Sequence, residues 1–187
     1  MNLNKFILFR VRRTGLSLSM ITIATDNDID ELVNLVNSAY RGDESRNGWT
    51  TEADLIEGSL RTDQKDLREL IISPDSIILK YISNNTITGC VHLQKIGNKL
   101  YLGLLSVSPL EQGAGIGKQL LIEAQNFAKE KHCHTIYMTV ISARKELINW
   151  YEKHGYVQTG EKKPFPPDNK FGRPKRPLEF IVLEKPV

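Results

Sequence analysis

Apolar positions recur along the chain at two spacings, one typical of helices and one typical of strands. After Asp28, a suitable N-cap, apolar residues repeat at helical intervals and predict a first helix through Ala39. Further helices are predicted near 52–60, 115–131 and 145–153, with a turn at 67–71. Asn84-Asn85 and Gly97-Asn98 have the composition of hairpin turns. Apolar and β-branched runs predict strands at 21–25, 76–82, 86–96, 100–107, 135–141, 156–159 and 178–184.

A glycine-rich segment, Gln112 to Lys118, separates the strand at 100–107 from the following helix. Glycines let backbone N–H groups approach a ligand, and a helix N-terminus adds partial positive charge, so this arrangement favours phosphate groups. Glycines at 113, 115 and 117 do not fit Gly-x-Gly-x-x-Gly, and Gln119 stands where a P-loop has Ser or Thr. The segment therefore predicts a site for a pyrophosphate-bearing cofactor, unless the glycines serve only the geometry of the turn.

Two motifs in this order resemble the GNAT N-acetyltransferase superfamily. The first is Gln112, Gly115 and Gly117, in the pattern Gln/Arg-x-x-Gly-x-Gly/Ala after a strand. The second begins at Tyr151 and is similar to the Tyr-Glu-Lys-x-Gly-Phe/Tyr segment of these enzymes: Tyr151-Glu152-Lys153-His154-Gly155-Tyr156. The resemblance is strong over 76–160 and looser over 20–75. It implies an α/β (α+β) fold, with a mixed, mostly antiparallel central sheet of about six to seven strands and helices on both faces.

The resemblance also implies a chemistry. Acetyl-CoA would be the acyl donor, no metal would be needed, and an amine would attack the thioester directly in a ternary complex. Tyr151 would donate a proton to the departing thiolate, because a phenol with a pKa of about 10 is protonated at neutral pH. A tyrosine on an apolar helix face is otherwise usually part of the core. The implied cofactor-binding residues lie in the strand and the turn: Leu105, Ser106, Val107, Gln112, Gly113, Ala114, Gly115, Ile116, Gly117 and Lys118.

Arg144 departs from the family pattern, because many GNAT enzymes carry an Asn at this position, seven residues before the tyrosine. A guanidinium makes bidentate contacts with oxyanions, so Arg144 is a candidate to bind a phosphate of CoA or an acidic substrate. It could equally be a solvated residue at the start of a helix.

The general base is not evident, because the strand segment 101–105 has no carboxylate. Glu52, His92, Glu161 and Glu179 are candidates, and Glu52 is favoured by its neighbours. The segment between the first two helices lines the acceptor site in GNAT folds, so the predicted substrate-binding residues there are Tyr40, Arg41, Trp49 and Thr51. Alternatively Trp49 only caps the core, and Thr50 or Thr51 caps the next helix, with Glu52 favouring its dipole.

A basic, proline-rich stretch at 162–176 carries six basic residues against Asp168 alone. It is long for a connection between two strands, and long loops in compact domains are often functional or mobile. Phe165 is a candidate contact to the acceptor, and the basic residues would favour an anionic one. The stretch could also be a dimer contact or a solvated flap.

Composition agrees with a single intracellular domain of 187 residues, with 40% hydrophobic and 25% charged residues. Residues 1–19 are expected to be an extension outside the fold, and residues 20–187 a single acetyltransferase domain. Cys90 and Cys133 form no metal spacing and suit a reducing, cytoplasmic compartment. A formal net charge of +3 and the lack of membrane-length apolar runs argue against nucleic-acid and membrane partners.

The expected function is transfer of an acetyl group from acetyl-CoA to a small-molecule or amino-acid-like amine, by a monomer or homodimer. A catalytically weak acyl-CoA-binding sensor or interaction module is the alternative. Retention of Tyr151 favours the enzyme, whereas the missing strand carboxylate leaves room for the sensor.

Overall fold

A computed structural model describes residues 10–14, 17–166 and 170–187. Within these residues the strands are β1 (Arg10–Thr14), β2 (Ser17–Ile23), β3 (Ile56–Glu57), β4 (Ser76–Ser83), β5 (Thr86–Ile96), β6 (Lys99–Val107), β7 (Thr135–Ile141), β8 (Val157–Pro164), β9 (Arg173–Pro174) and β10 (Glu179–Pro186). Four α-helices accompany them: α1 (Ile29–Tyr40), α2 (Gln64–Ile72), α3 (Ile116–Glu130) and α4 (Lys145–Lys153). The main sheet has eight of these strands, in the order β1-β2-β4-β5-β6-β7-β10-β8, and a separate two-stranded sheet pairs β3 with β9.

The helices cover both faces of the main sheet, and two hydrophobic clusters form the core. Ile78 of β4 packs on the face covered by α1 and α2, whereas the next residue, Leu79, packs on the face covered by α3 and α4. Cys90 and Val91 of β5 divide in the same way, because successive side chains of a strand point to opposite faces. The predicted fold class, a mixed and mostly antiparallel sheet with helices on both faces, is confirmed, but the main sheet has eight strands and not six to seven.

The strand β6 leaves a gap beside β7, and this gap positions the site. The two strands are parallel and pair only from Lys99 with Thr135 to Tyr101 with Tyr137. On its other edge β6 carries a bulge, because Leu104 and Leu105 together oppose a single residue of β5. Leu104 has φ of +48°, a left-handed conformation that is uncommon for a leucine. Beyond Tyr101 the two strands are not paired with each other.

Two local predictions were wrong. The helix predicted near 52–60 is absent: these residues form turns and β3, and a short 3₁₀ helix lies ahead of them at Glu44–Asn47. Here Ile56 pairs with Pro174 of β9, and Gly58 has φ of +112°, so tertiary pairing overrides the helical spacing. The turn predicted at 67–71 is instead a full helix, α2, whose N-cap Asp63 accepts a hydrogen bond from the backbone of Asp66 at 2.8 Å.

The start of the sheet also differs from the expected boundary at residue 20. The strand β2 begins at Ser17, and Arg10–Thr14 pairs with it in antiparallel register from Arg10 with Ile21 to Thr14 with Ser17. Backbone pairing thus places residues 10–14 at the edge of the main sheet. Residues 1–9 of the expected extension lie outside the described part of the chain.

Candidate active site

The glycine turn lies between β6 and α3, as expected. Gly113 and Gly115 have φ of +91° and +83°, conformations that side chains with a Cβ atom rarely adopt, and no atom lies within 4 Å of a Cβ built at either residue. Gly115 is the N-cap of α3, so the first N–H groups of this helix have no partner within it. The turn is therefore an open cradle of backbone donors at the positive end of a helix dipole.

The side chain of Gln112 holds the turn in place through three hydrogen bonds. Its Oε1 accepts a hydrogen bond from the backbone N–H of Trp49 at 2.8 Å, and its Nε2 donates to Thr50 Oγ1 at 2.8 Å and to the carbonyl of Val107 at 3.2 Å. A Cβ atom at Gly48 would lie 2.7 Å from Oε1, so a larger residue there would have to displace the side chain of Gln112. Gln112 thus ties the 48–50 loop to the end of β6.

A cavity of about 400 Å³, called here the turn cavity, opens between the glycine turn and α4. Trp49 and Trp150 form an aromatic wall, with ring centroids 6.2 Å apart. Most of the predicted cofactor-binding residues line this cavity: Leu105, Val107, Gln112, Gly113, Gly115, Ile116, Gly117 and Lys118.

The lining of the turn cavity does not include Ser106 or Ala114. Ser106 is paired with Cys90 of β5, and its hydroxyl donates to the carbonyl of Leu104 at 3.1 Å. Its side chain faces away from the cavity because it alternates with those of Leu105 and Val107. Any contact of Ser106 with a ligand in this cavity would therefore go through its backbone.

A second cavity of about 310 Å³, called here the splay cavity, fills the gap between β6 and β7. Its walls include residues 101–105 of β6 and residues 138–141 of β7. Leu105, Leu147 and Tyr151 line both this cavity and the turn cavity. The two cavities therefore meet at these three side chains.

Tyr151 stands at this meeting point. It is buried, and among the described residues its hydroxyl group has no hydrogen-bond partner. Burial, with smaller effects from Tyr40 and Tyr156, raises the pKa of Tyr151 well above its ordinary value. The phenol is therefore neutral over the physiological pH range and can donate a proton.

Glu52 is buried on the wall of the splay cavity, and three arginines lie around its carboxylate. Its Oε2 accepts a hydrogen bond from Nη1 of Arg41, while the Nε atom of Arg61 lies 3.9 Å from the same oxygen. On the other side, Nη1 of Arg144 lies 3.8 Å from Glu52 Oε1. We call these four residues the arginine cluster. Arg144 is 6% exposed, and its Nη1 has no hydrogen-bond partner among the described residues.

Tyr40 connects the arginine cluster to the bulge of β6. Its hydroxyl donates to the carbonyl of Leu105 at 2.5 Å, and the guanidinium of Arg61 lies 5.9 Å from the centre of its ring. Burial, with Glu52 as the next cause, raises the pKa of Tyr40 to about 12, so the phenol remains a donor. Tyr40 therefore fixes the backbone at the point where both cavities meet.

A third cavity of about 160 Å³, called here the loop cavity, continues from the splay cavity beneath the basic stretch. The two share Glu52, Arg61 and Phe180, among others. Phe165 lines the loop cavity as well and stacks on Phe180, with ring centroids 5.2 Å apart.

The basic stretch is anchored over the loop cavity by the segment that was predicted to be helical. Its strand β9 pairs with β3, and the backbone N–H of Lys175 donates to the carbonyl of Leu55 at 2.9 Å. Gly172 packs so tightly that an added Cβ would lie 2.2 Å from the carbonyl oxygen of Glu57. The described part of the stretch therefore forms one wall of the site.

The structure moves several residues away from their expected places. Trp49, predicted to bind the acceptor, lines the turn cavity, and Arg144, a candidate for either a CoA phosphate or an acidic substrate, lines the splay cavity. Thr51 lines none of the three cavities, because its hydroxyl is bonded to Ser45 at 2.6 Å and accepts from the N–H of Ala53 at 3.2 Å. Arg41 lines the loop cavity.

His92 also lies outside the three cavities. It is buried on β5, and its Nε2 is 2.9 Å from Ser76 Oγ. Because that hydroxyl donates to the carbonyl of Leu70, the imidazole is the donor to Ser76. Burial lowers the pKa of His92 to about 4. Its place in the structure is that of a neutral core histidine.

Sequence reasoning missed Arg61, Trp150 and Phe180, which line the cavities. Trp150 directly precedes the motif that begins at Tyr151, and that neighbourhood was an available signal. Arg61 and Phe180 lie in segments with no motif. Only the fold brings them to the site.

The described residues thus form a mixed sheet with a bulged strand that diverges from its parallel neighbour, beside a glycine turn that opens a helix. The model of the acetyltransferase (GNAT) family matches residues 30–156, so the chain belongs to this family and is an acetyltransferase. No curated protein sequence matches the chain significantly. No helix in the described part of the chain is long and apolar enough to cross a membrane.

Solved structures of N-acetyltransferases resemble the chain in fold at low sequence identity. The ribosomal-protein-S18-alanine N-acetyltransferase of Escherichia coli is 13% identical, with a TM-score of 0.68 over 90% of this chain and 94% of that one. The PaiA N-acetyltransferase of Thermoplasma acidophilum, in complex with coenzyme A, is 19% identical, with a TM-score of 0.65 over 90% and 99%. The GNAT domain of S. lividans PAT is 18% identical, with a TM-score of 0.66 over 95% and 94%.

Proposed function

We propose that this protein transfers an acetyl group from acetyl-CoA to the primary amine of a small molecule, by direct attack in a ternary complex. The observation that carries the proposal is the meeting of the turn cavity and the splay cavity at Tyr151. A donor in one cavity and an acceptor in the other would bring their reacting atoms together beside a neutral phenol.

The turn cavity suits CoA chemically. The open backbone at Gly113 and Gly115 and the unpaired N–H groups of the α3 N-terminus would receive the pyrophosphate, with Lys118 adding positive charge. The exposed edge of β6 at Leu105 and Val107 would accept pantetheine like an added strand. Bound in this way, acetyl-CoA supplies an activated acyl carbon at the meeting point of the two cavities.

The proposed reaction forms a C–N bond and breaks a C–S bond. The amine nitrogen attacks the thioester carbonyl carbon, and a backbone N–H group freed by the β6 bulge would stabilise the oxyanion. Tyr151 gives its proton to the departing thiolate and recovers one from the nitrogen of the product. The net reaction of an ammonium substrate releases one proton, which the base passes to solvent.

Glu52 is the proposed base. Its Oε2 is occupied by Arg41, but among the described residues nothing is within hydrogen-bonding distance of Oε1, and the side chain lines the splay cavity. A base must be within hydrogen-bond reach of the proton, directly or through one water molecule. Tyr40 acts as a positioning residue, because it holds the Leu105 carbonyl in place.

The test is thiol release from acetyl-CoA across a panel of amino acids, polyamines, aminoglycosides and short peptides. We expect signal with one class and a loss of roughly 10²- to 10⁴-fold in kcat for Tyr151→Phe. Tyr156→Phe is a matched control: its ring lies 5.7 Å from that of Tyr151, but it lines neither cavity.

Each of the other outcomes has a distinct meaning. Full activity of Tyr151→Phe would show that the hydroxyl has no part in the mechanism, while the protein would still be an active acetyltransferase. Acetyl-CoA binding without turnover by any acceptor would favour the acyl-CoA-binding sensor. Failure of acetyl-CoA to bind, measured by calorimetry, would reject the proposal entirely.

A further inference from the structure

The walls of the splay and loop cavities carry an excess of positive charge. Their charged residues, within the described part of the chain, are the members of the arginine cluster: Arg41, Arg61, Arg144 and Glu52. Three guanidinium groups against one carboxylate leave a net charge of +2 (three minus one). Because Arg41 is bonded directly to Glu52, the excess falls on Arg61 and Arg144.

Arg144 is the most informative member of the cluster. Its side chain is almost wholly buried, its Nη2 donates to the carbonyl of Trp49 at 3.4 Å, and its Nη1 has no hydrogen-bond partner among the described residues. Leaving a buried, charged donor without an acceptor costs stability, so this nitrogen is a candidate to bind a ligand. Arg144 borders the splay cavity, where a ligand oxygen could accept this hydrogen bond.

The phosphates of CoA are poor candidates for that oxygen. The turn cavity has its own donors at the glycine turn and Lys118, and neither Arg144 nor Arg61 lines it. The anion must therefore enter from the acceptor side. A planar guanidinium fits a carboxylate with two parallel hydrogen bonds.

We infer that the acceptor of this enzyme is a primary amine that also carries a carboxylate, as an amino acid does. The carboxylate binds Arg144 Nη1 with support from Arg61, while the ammonium group lies toward Glu52 Oε1 and Tyr151. The cluster is thus matched to both charges of a zwitterion. This inference rests on the proposed function and names its substrate class.

The first test compares acceptors in pairs that differ only in the carboxylate: amino acids and their amides, at constant ionic strength. We expect kcat/KM to favour the acid about 10- to 100-fold, the usual strength of a charge-assisted hydrogen bond. In Arg144→Gln this ratio should fall toward one. Arg46→Gln is the control, since that exposed arginine pairs with Asp54 outside the cavities, and it should keep the ratio.

A second test does not depend on turnover. N-acetyl amino acids and their N-acetyl amides are added to the protein–CoA complex, and thermal unfolding is followed. The acids should raise Tm more than the amides in the wild-type protein, and this difference should vanish in Arg144→Gln. Calorimetry with acetyl-CoA alone should give the same Kd for both proteins.

Three results would overturn the inference. The first is acetylation of the amides as efficiently as of the matching acids. The second is a Tm shift that is equal for acids and amides, or absent for both. The third is a tenfold or greater loss of acetyl-CoA affinity in Arg144→Gln. The last result would assign the anion to the cofactor. In each case thiol release by the wild-type protein still reports separately on the proposed function.

Discussion

Breaking the ion pair between Glu52 and Arg41 should destabilise the fold strongly. In Glu52→Gln the Arg41 guanidinium, 4% exposed, loses its counter-charge inside the protein. Arg144, with its Nη1 3.8 Å from Glu52, loses an attraction of about 4 kcal/mol at an effective dielectric constant of about 20. Part of this lost attraction is offset, because the variant no longer bears the cost of desolvating the Glu52 carboxylate. We therefore expect a loss of about 3–5 kcal/mol in the free energy of unfolding.

The assay is urea unfolding of Glu52→Gln, Arg41→Met and the double variant, combined as a double-mutant cycle. The double variant removes both partners, so we expect a coupling energy of about 2–4 kcal/mol between the two sites. The exposed pair of Arg46 and Asp54, at 3.0 Å, provides the control and should couple by less than about 1 kcal/mol. Similar coupling energies for the two pairs would refute the view that burial makes the Glu52 pair strong.

Three further predictions concern single residues. Gly48→Ala should displace Gln112 and weaken acetyl-CoA binding several-fold by calorimetry, because its Cβ would lie 2.7 Å from the amide oxygen of that side chain; unchanged affinity would count against the role of Gln112. Tyr156→Phe should raise the free energy of unfolding by up to about 1 kcal/mol, since its buried hydroxyl has no partner among the described residues. A lower free energy of unfolding for this variant, measured in urea, would contradict the prediction. The pKa of His92 is lowered to about 4 in the folded state, so as pH falls the unfolded chain takes up the imidazole proton before the folded protein does. The stability that His92 contributes is therefore lost as pH falls from about 6.5 to about 4. Urea unfolding of His92→Gln should lose that part of the pH dependence, and an unchanged pH profile would disprove the assignment.

Sequence patterns predicted the central elements well because the local signals there agree. The bounds of β7 and α4 were predicted to the residue, at 135–141 and 145–153. The hairpin turn at Asn84 and Asn85 was also predicted, and both residues have positive φ. In each of these segments the spacing of apolar residues, the turn chemistry and the final packing favour the same structure.

The segment from Glu52 to Leu60 shows why other elements could not be predicted. Its apolar residues suggested a helix, but Glu52 turns inward to Arg41, and Ile56 pairs with Pro174, more than 100 residues away. Contacts of this kind leave no mark in the local spacing. The same holds for Arg61, which directly follows this segment. Its sequence neighbourhood is that of an ordinary polar loop.

The two halves of the site differ in the same respect. The side that we propose for the cofactor is built mainly from consecutive residues, from Gln112 to Lys118, so a motif could reveal it. The side that we propose for the acceptor is assembled from residues distant in sequence, and sequence patterns supplied several of its members but not their arrangement. Arg144 illustrates this: its chemistry was evident from the sequence, but the cavity that it lines depends on the fold.

The loop from Gly48 to Glu52 links these two halves physically. At one end, the N–H of Trp49 donates to Gln112, which also holds the end of β6 through the carbonyl of Val107. The carbonyl of the same Trp49 accepts from Arg144, whose other nitrogen faces Glu52. The backbone that supports the glycine turn is thus bonded to the side chain that we assign to the acceptor carboxylate. Both contacts are made through a single residue, so the proposed donor side and the proposed acceptor side share one piece of chain.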